Sequence, residues 1–419
     1  MVGEVKPGTN SALLNIQRGQ IMKTASLRKL PRVALLVESS RTYGRGVLRG
    51  IARYAHAHGP WSFFLIERDL HGGIPDILKA WRGDGIIARI EDRRMAERLL
   101  ALRCPVVDVL GQGSFGGIPS FDTDAAAVAD VAVKFFLHAG FRHFAFIGYA
   151  GLPFSDHRQA AFARQLGEHG RTVVFLPRPS ARRPKHIQAV EREGIAAERV
   201  IARWLQQQAH PLAVLACNDV CAQQVLNACR EQGLRVPEEI AVMGVDNDDV
   251  LCNICDPPLT SIEPDAERLG YEAAAKLHRL MLGEPAANHV TLVPPVRLVE
   301  RASTDTVASA DPVVVAALRF IRDHLGEGIA VKDVAAHLER SRSDLEKRFG
   351  LGLQTSVRSE ILRLRLARAC SLLRETELNL DQAAIKVGFA TAAHLCRVFQ
   401  RHFHQTPTAY RRVHSHNRQ

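Results

Sequence analysis

The apolar period of this chain changes once, and that change limits its fold more than any single motif. From Arg32 to about Arg301 short β-branched runs alternate with helix-length segments, whereas from Pro312 onward the apolar repeats are helical alone. The first pattern is that of parallel sheets joined by crossover helices, the second that of a separate all-α domain. Strands are expected at Arg32–Glu38, Trp61–Ile66, Gly85–Ile90, Pro105–Leu110, His143–Gly148, Thr172–Leu176, Leu212–Ala216 and Ile240–Val245. Between them, helices are expected at Gly46–Ala57, Asp124–Ala139, Asp156–His169, Asp219–Gln232 and Asp265–Leu282, several opened by an aspartate that can cap the first turn. So many strands suit two α/β lobes better than one, with a cleft between them served by loops at the carboxyl ends of strands. The length of 419 residues agrees, since a single core stops growing at roughly 250–300.

Val293-Pro-Pro-Val296 and the polar stretch Arg301–Asp311 end the alternating pattern. The expected division is an extension at 1–30, an α/β unit at 31–302, a linker at 303–311 and an all-α unit at 312–414. The extension is polar and aperiodic, and Met22 stands shortly before the first strand-like run, which points to a start codon placed early.

The formal net charge of +11 is unevenly spread. Residues 311–419 hold 18 Lys+Arg against 11 Asp+Glu, and after Asp381 there is no acidic residue while Lys386, Arg397, Arg401, Arg411, Arg412 and Arg418 remain. A basic segment of this kind marks contact with a polyanion. The eight cysteines are scattered through apolar segments and no secretory leader is recognised, so a reduced, cytoplasmic setting is expected. Cys252-x-x-Cys255 is a lone pair without a second pair or a His pair at finger spacing, so no metal is expected. No stretch approaches the ~18–20 apolar residues of a bilayer span, so no membrane partner is expected.

The tail contains an internal repeat. Val331-Lys-Asp-Val-Ala-Ala-His-Leu338 resembles Leu380-Asp-Gln-Ala-Ala-Ile-Lys-Val387 at an offset of 49, and Leu345-Glu-Lys-Arg-Phe349 resembles Leu395-Cys-Arg-Val-Phe399 at an offset of 50. Each copy reads as a short helix with a small residue at the close approach (Ala335, Ala384), a turn, then a second amphipathic helix, which is helix-turn-helix grammar. The outward face of such a second helix reads base edges in the major groove. Here those positions are Ser341, Arg342, Ser343, Glu346 and Lys347 in the first copy and Thr391, Ala392, His394 and Arg397 in the second, with Leu345, Phe349, Leu395 and Phe399 inward. One unit alone reads more readily as a solvated bundle face; two basic units in register reverse that reading.

The segment Leu380–Arg411, with Gly388-Phe389, Phe399, Phe403, Thr406-Pro407 and Tyr410-Arg411, resembles the signature of the AraC/XylS transcription regulators. The resemblance implies double-stranded DNA as partner, two helix-turn-helix units joined by a long helix at about Ser356–Leu373, and RNA polymerase as a further partner. It makes Lys347 and Arg397 equivalent base readers, with Arg401, Arg411 and Arg412 as phosphate contacts.

The α/β unit resembles the sensor of the LacI/GalR regulators, itself similar to periplasmic sugar-binding proteins, through Asp122-Thr-Asp124, His157-Arg158-Gln-Ala-Ala-Phe162, Ala216-Cys-Asn218-Asp219, Gly244-Val-Asp246-Asn247 and Pro257-Pro-Leu-Thr-Ser-Ile262. The resemblance implies a sugar effector, a homodimer, and ligand contacts from Arg158, Asn218, Asp219 and Asp246, faced by Tyr43, Arg45 and Arg89, with Asp124 beside them. Carboxylates, planar amides and arginines are suited to this, since they pair with hydroxyls as acceptors and donors. LacI/GalR proteins place their DNA-binding unit ahead of the sensor, and this chain places a different one behind it. That order, with Ser39-Ser-Arg-Thr-Tyr-Gly-Arg45 and Val293-Pro-Pro-Val-Arg-Leu-Val-Glu-Arg-Ala-Ser-Thr-Asp305, resembles the bacterial regulators of xylose operons and implies D-xylose as effector of a transcription activator.

Three other readings compete. A regulator tuned to a different sugar needs only one or two changed cleft residues. A nucleotide-dependent enzyme is suggested by Gly44-Arg-Gly46-x-x-x-Gly50, which follows a strand and precedes Glu67, but its third glycine is one position late and Tyr43 and Arg45 crowd the turn. A transport component would share the cleft but not the basic helical tail. No cofactor and no catalytic residue is expected.

Overall fold

The computed structural model describes residues 30–66, 81–111, 115–177, 187–306, 309, 311–353 and 355–414. The expected extension at 1–30 therefore lies outside the described residues apart from Leu30.

Two six-stranded sheets form two lobes. In chain order the first part runs β1 (Arg32–Leu36), α1 (Thr42–His58), β2 (Ser62–Leu65), β3 (Gly85–Ala88), α2 (Arg93–Leu100), β4 (Val106–Asp108) and β5 (Ser120–Thr123). There follow α3 (Ala125–His138), β6 (His143–Ile147), α4 (Pro153–Glu168), β7 (Val173–Phe175), α5 (Ile187–Gln206), β8 (Leu212–Ala216), α6 (Asp219–Glu231), β9 (Ile240–Val245), α7 (Asp249–Ile254) and β10 (Thr260–Glu263). The α/β part ends with α8 (Ala266–Met281), β11 (Val290–Val293) and β12 (Arg297–Val299). Lobe 1 has strand order β11-β5-β4-β3-β1-β2 and lobe 2 has β12-β10-β9-β8-β6-β7. All pairings are parallel except β10 with β12. Strands such as Leu212–Ala216 are buried along their whole length, as helices on both faces demand.

The chain crosses between lobes at three places: after β5, after β10, and between β11 and β12. Four strands that flank these crossings, β5, β10, β11 and β12, were not expected from the pattern. Ser120-Phe-Asp-Thr123 and Thr260-Ser-Ile-Glu263 are short and polar, and Val293-Pro-Pro-Val296 is a crossing between lobes rather than the end of the pattern. Helix α8 returns to lobe 1 and packs against α1, burying Val47, Ile51, Leu269 and Leu277 together. The two helices touch backbone to backbone: a Cβ at Gly50 would collide with the Glu267 carbonyl, and one at Gly46 would sit 2.8 Å from the Ala266 Cβ. Two of the glycines that imitate a dinucleotide fingerprint, Gly46 and Gly50, therefore serve helix–helix contact, and the third, Gly44, lies against the Glu38 carbonyl.

The tail is helical: α9 (Pro312–Asp323), α10 (Val331–His337), α11 (Arg342–Leu353), α12 (Val357–Glu375), α13 (Leu380–Lys386), α14 (Ala392–Phe403) and α15 (Pro407–His414). Ser356 caps the long helix through Ser359 N at 3.0 Å. This helix is a shared spine, since Val357, Ile361 and Leu364 enter one core and Leu366, Ala369 and Leu373 a second. Leu345, Phe349, Leu395 and Phe399 are fully buried, one pair in each core, so the repeat is structural as well as sequential. Gly388 turns the second unit at φ 81°, where a Cβ would collide with the Leu325 carbonyl.

Candidate functional site

The cleft between the lobes holds a pocket of about 600 Å³, including its open mouth. Lobe 1 supplies Glu38, Arg41 and Tyr43 after β1, Arg89 after β3, Leu110 after β4, and Asp122 and Thr123 of β5. Lobe 2 supplies Phe154 and Arg158 of α4, Glu191 of α5, Asn218 after β8 and Asp246 after β9. Nearly all stand at the carboxyl ends of strands or the helix starts that follow, which is where open α/β sheets gather ligand groups.

Four carboxylates face three guanidiniums in this space. Arg89 Nη1 meets Glu38 Oε2 at 2.9 Å, and Arg41 Nη2 meets Glu191 Oε2 at 2.6 Å across the cleft. Arg158 donates to the Cys217 carbonyl, stacks on Phe154 at 5.5 Å and approaches Asp246 Oδ1 at 3.8 Å. Glu38 is 3% exposed, and among the described residues its Oε1 has no hydrogen-bond partner. A buried acceptor without a donor is unfavourable by itself, and it suits a ligand that brings hydroxyls.

Desolvation is the largest influence on Asp122, Tyr43, Glu191, Asp219 and Asp246. It pushes the Asp122 carboxyl up to about 7, against the pull of Arg158, and raises the Tyr43 hydroxyl above its ordinary value. Glu191 is raised by burial despite Arg41. Asp219 and Asp246 are both raised by burial, and Asp219 further by the neighbouring Asp246 charge. Asp246 also holds a rare backbone conformation, φ 117°, pinned by Asp246 N to the Ile262 carbonyl at 3.0 Å and by Arg301 Nη2 on the Asn247 side chain at 2.9 Å. Strain held in place by surrounding bonds is a mark of functional positions.

Of the residues expected to face a sugar, Tyr43, Arg89, Arg158, Asn218 and Asp246 line the pocket together. Arg45, Asp124 and Asp219 do not line it. Arg45 ties the loop after β1 by donating to the Ser39 and Ser40 carbonyls at 3.1 and 2.9 Å. Asp124 caps α3 through Ala126 N and Ala127 N at 2.8 and 3.1 Å. Asp219 lies behind Asp246, accepting from Ser261 Oγ at 2.6 Å and Asp248 N at 2.8 Å. Cys252 directs its thiol at the same carboxylate, at 3.4 Å, and none of the eight cysteines is in a disulfide. Sequence reasoning missed Glu38, Arg41, Asp122, Thr123, Phe154 and Glu191. Glu38 and Arg41 follow a central strand directly, which was a usable signal; Glu191 is on a helix and had none.

In the tail, Arg342, Ser343 and Lys347 of α11 are exposed, as are His394, Arg397 and Arg401 of α14, with Ala392 half-buried beside them. Ser341 and Thr391 use their hydroxyls to cap these helices through Asp344 N and His394 N at 3.1 and 3.2 Å. Glu346 is turned towards α12, accepting from Val357 N at 3.2 Å. Arg411 is half-buried, with its guanidinium on the Leu373 and Leu378 carbonyls, while Arg412 is exposed.

The tail is fastened to lobe 2. Arg322 of α9 pairs with Glu238, just ahead of β9, and with the Asp305 carbonyl. Arg363 of α12 meets Asp305 Oδ1 at 2.9 Å and Glu360 Oε1 at 2.7 Å, and Arg348 meets Asp311 Oδ2 at 2.8 Å. Among the described residues no helix is long and apolar enough to cross a membrane.

Residues 32–123 match a XylR N-terminal domain, residues 133–304 a periplasmic binding protein-like domain, and residues 334–413 a helix-turn-helix domain. The chain is 32% identical to the xylose operon regulatory protein of Escherichia coli (strain K12), over 92% of this chain and 98% of that one. It is 28% identical to the protein so named in Haemophilus influenzae, over 91% and 98%. The solved structure of the xylose-binding transcription activator xylR superposes with a TM-score of 0.71 at 30% identity, covering 93% of this chain and 100% of that one. A LacI transcriptional regulator from a Rhodococcus species superposes on the α/β part with a TM-score of 0.54 at 25% identity, covering 66% of this chain and 99% of that one. The matched proteins are transcription regulators with a DNA-binding helix-turn-helix domain, not enzymes. The chain belongs to the family of xylose operon regulatory proteins, transcription regulators that carry a periplasmic-binding-protein-like sensor ahead of an AraC-type DNA-binding domain.

Proposed function

We propose that this chain is a D-xylose-responsive transcription activator, acting in the cytoplasm as a homodimer and handing its signal to RNA polymerase. The observation that carries the effector reading is the interlobe lattice of carboxylates and guanidiniums with the unpartnered Glu38 Oε1 at its wall. A pentose presents hydroxyls in a ring plane, each able to donate to a carboxylate and accept from a guanidinium. Glu38, Asp122, Asp246 and Glu191 supply the acceptors, Arg41, Arg89, Arg158 and Asn218 the donors, and Phe154 an apolar face.

Sugar bridging both walls favours the closed arrangement of the lobes over the open one by its difference in affinity for the two. The tail is joined to lobe 2 at the amino end of its sheet, through Glu238 ahead of β9, while Asn218 and Asp246 stand at the carboxyl ends of strands in that same sheet. Rotation of lobe 2 therefore carries the tail with it and resets the spacing of two tails in a dimer. Arg342, Ser343 and Lys347, and His394 and Arg397, are the base-facing side chains in this reading, with Arg401 and Arg412 on phosphates. The test is a thermal-shift panel of pentoses and hexoses on the whole chain. D-xylose is expected to raise the melting temperature more than L-arabinose, D-ribose or D-glucose. No shift with any pentose refutes the sensor reading.

A further inference from the structure

A second cleft, of about 1930 Å³ including its open mouth, lies between lobe 2 and the first recognition helix, α11. One wall carries Arg142 and His143 at the start of β6 together with His210; the other carries Lys347 and Arg348. Asp311 and Asp344 also line it, but both carboxylates are bound by Arg348, at 2.8 and 3.1 Å. Arg142, His143 and Lys347 are exposed, and among the described residues Arg142 and Lys347 make no hydrogen bond or ion pair. Arg348 shares its single charge between the two carboxylates, so the cleft as a whole carries about one positive charge, and the cations that no carboxylate binds are Arg142 on one wall and Lys347 on the other. Like charges facing each other across water repel, and an anionic chain placed between them relieves the repulsion. Lys347 belongs to the exposed face of a recognition helix, so the polyanion that reaches this cleft with no further machinery is the backbone of DNA already lying against α11.

We propose that the sensor itself touches DNA: a phosphate strand beside α11 is held from the other side by Arg142 and His143 of lobe 2. Sugar-driven movement of lobe 2 then acts on DNA directly as well as through the tail. This rests on the reading that α11 docks on duplex DNA. Because a phosphate contact is independent of base sequence, the probe is a random-sequence duplex of about 30 bp, titrated with the whole chain by fluorescence anisotropy between 50 and 200 mM salt. Each neutralised phosphate contributes about 0.9 to the slope of log affinity against log salt, so Arg142→Ala is expected to reduce that slope by about 1. Arg164→Ala, an exposed arginine of lobe 2 on α4 and outside the cleft, should leave it unchanged. The thermal shift with D-xylose should be the same in both variants and the parent. An unchanged slope in Arg142→Ala, or an equal fall in Arg164→Ala, overturns the proposal. Tighter DNA binding by Arg142→Glu also overturns it, since that marks a cleft that keeps DNA out. If the unaltered chain bound no duplex at all, the docking reading would fall and this proposal with it, whereas a normal parent slope with an indifferent Arg142→Ala removes the proposal alone.

Discussion

Replacing Glu38 by glutamine isolates the role of the pocket carboxylate, because the amide keeps the shape and removes the charge. Glu38 Oε2 holds Arg89 at 2.9 Å and Oε1 faces the pocket without a partner. A hydrogen bond to a charged group contributes about 1.5–3 kcal/mol and a neutral one about 0.5–1.5, so the exchange should cost binding about 1–1.5 kcal/mol. That is about a tenfold rise in the Kd for D-xylose, measured by isothermal titration calorimetry. Glu38→Ala removes the acceptor altogether and should cost about 2 kcal/mol or more, roughly thirtyfold. Stability without sugar should move less, since loss of the pair with Arg89 is offset by relief of repulsion from Asp122, Glu191 and Asp246 in the same pocket. At a sugar concentration 100 times the parent Kd, ligand stabilisation should fall from about 2.7 to about 1.4 kcal/mol in the glutamine variant. A Kd within twofold of the parent in both variants, with their unliganded melting unchanged, refutes the reasoning that this oxygen awaits a hydroxyl.

The remaining predictions test the pocket's titration, the DNA face and the junction. Asp122 binds its proton up to about pH 7 in the folded chain, above its unfolded value, so its contribution to stability is greatest below pH 4 and is lost as pH rises through 7. Asp122→Asn should flatten the fall in unliganded melting temperature between pH 5 and 8, and an unchanged pH profile counts against it. Arg397→Ala should lose about 1–3 kcal/mol on a specific operator and relax base preference there, while Arg401→Ala should weaken specific and random duplexes alike; identical behaviour of the two variants in filter binding removes the distinction between reader and anchor. Arg322→Ala breaks the link to Glu238 and Asp305, so the xylose-dependent change in DNA affinity, typically about 5–150-fold for coupled sites, should shrink towards twofold while sugar binding persists.

Much of the sensor was legible from period alone, because strands buried on both faces read as unbroken apolar runs. The pocket was legible only in part. Tyr43, Arg89, Arg158, Asn218 and Asp246 were found from the resemblance and from strand ends, and all five line the pocket. Asp122 reads as part of a helix start, since the strand that holds it is four residues of mostly polar sequence. Arg45 and Arg41 stand on the same loop and look alike in sequence, but Arg41 crosses the cleft to Glu191 while Arg45 turns back on its own loop. Glu346 and Arg411 look like any outward polar residue of the tail, yet Glu346 accepts from the first turn of α12 and Arg411 donates to the Leu373 and Leu378 carbonyls.

By itself the sequence determined two folding regimes, a duplicated helix-turn-helix with its buried Leu345, Phe349, Leu395 and Phe399, and a basic tail. These are properties of period and composition, which local backbone geometry converts directly into structure. Tertiary structure alone decided which polar side chains share a pocket, because Glu38, Asp122, Glu191 and Asp246 meet only after three crossings between lobes have brought strand ends far apart in the chain to one cleft. It also decided that Arg142 of lobe 2 faces Lys347 of the first recognition helix across a cleft, since that depends on how Arg322 and Arg363 seat the tail and not on any local preference.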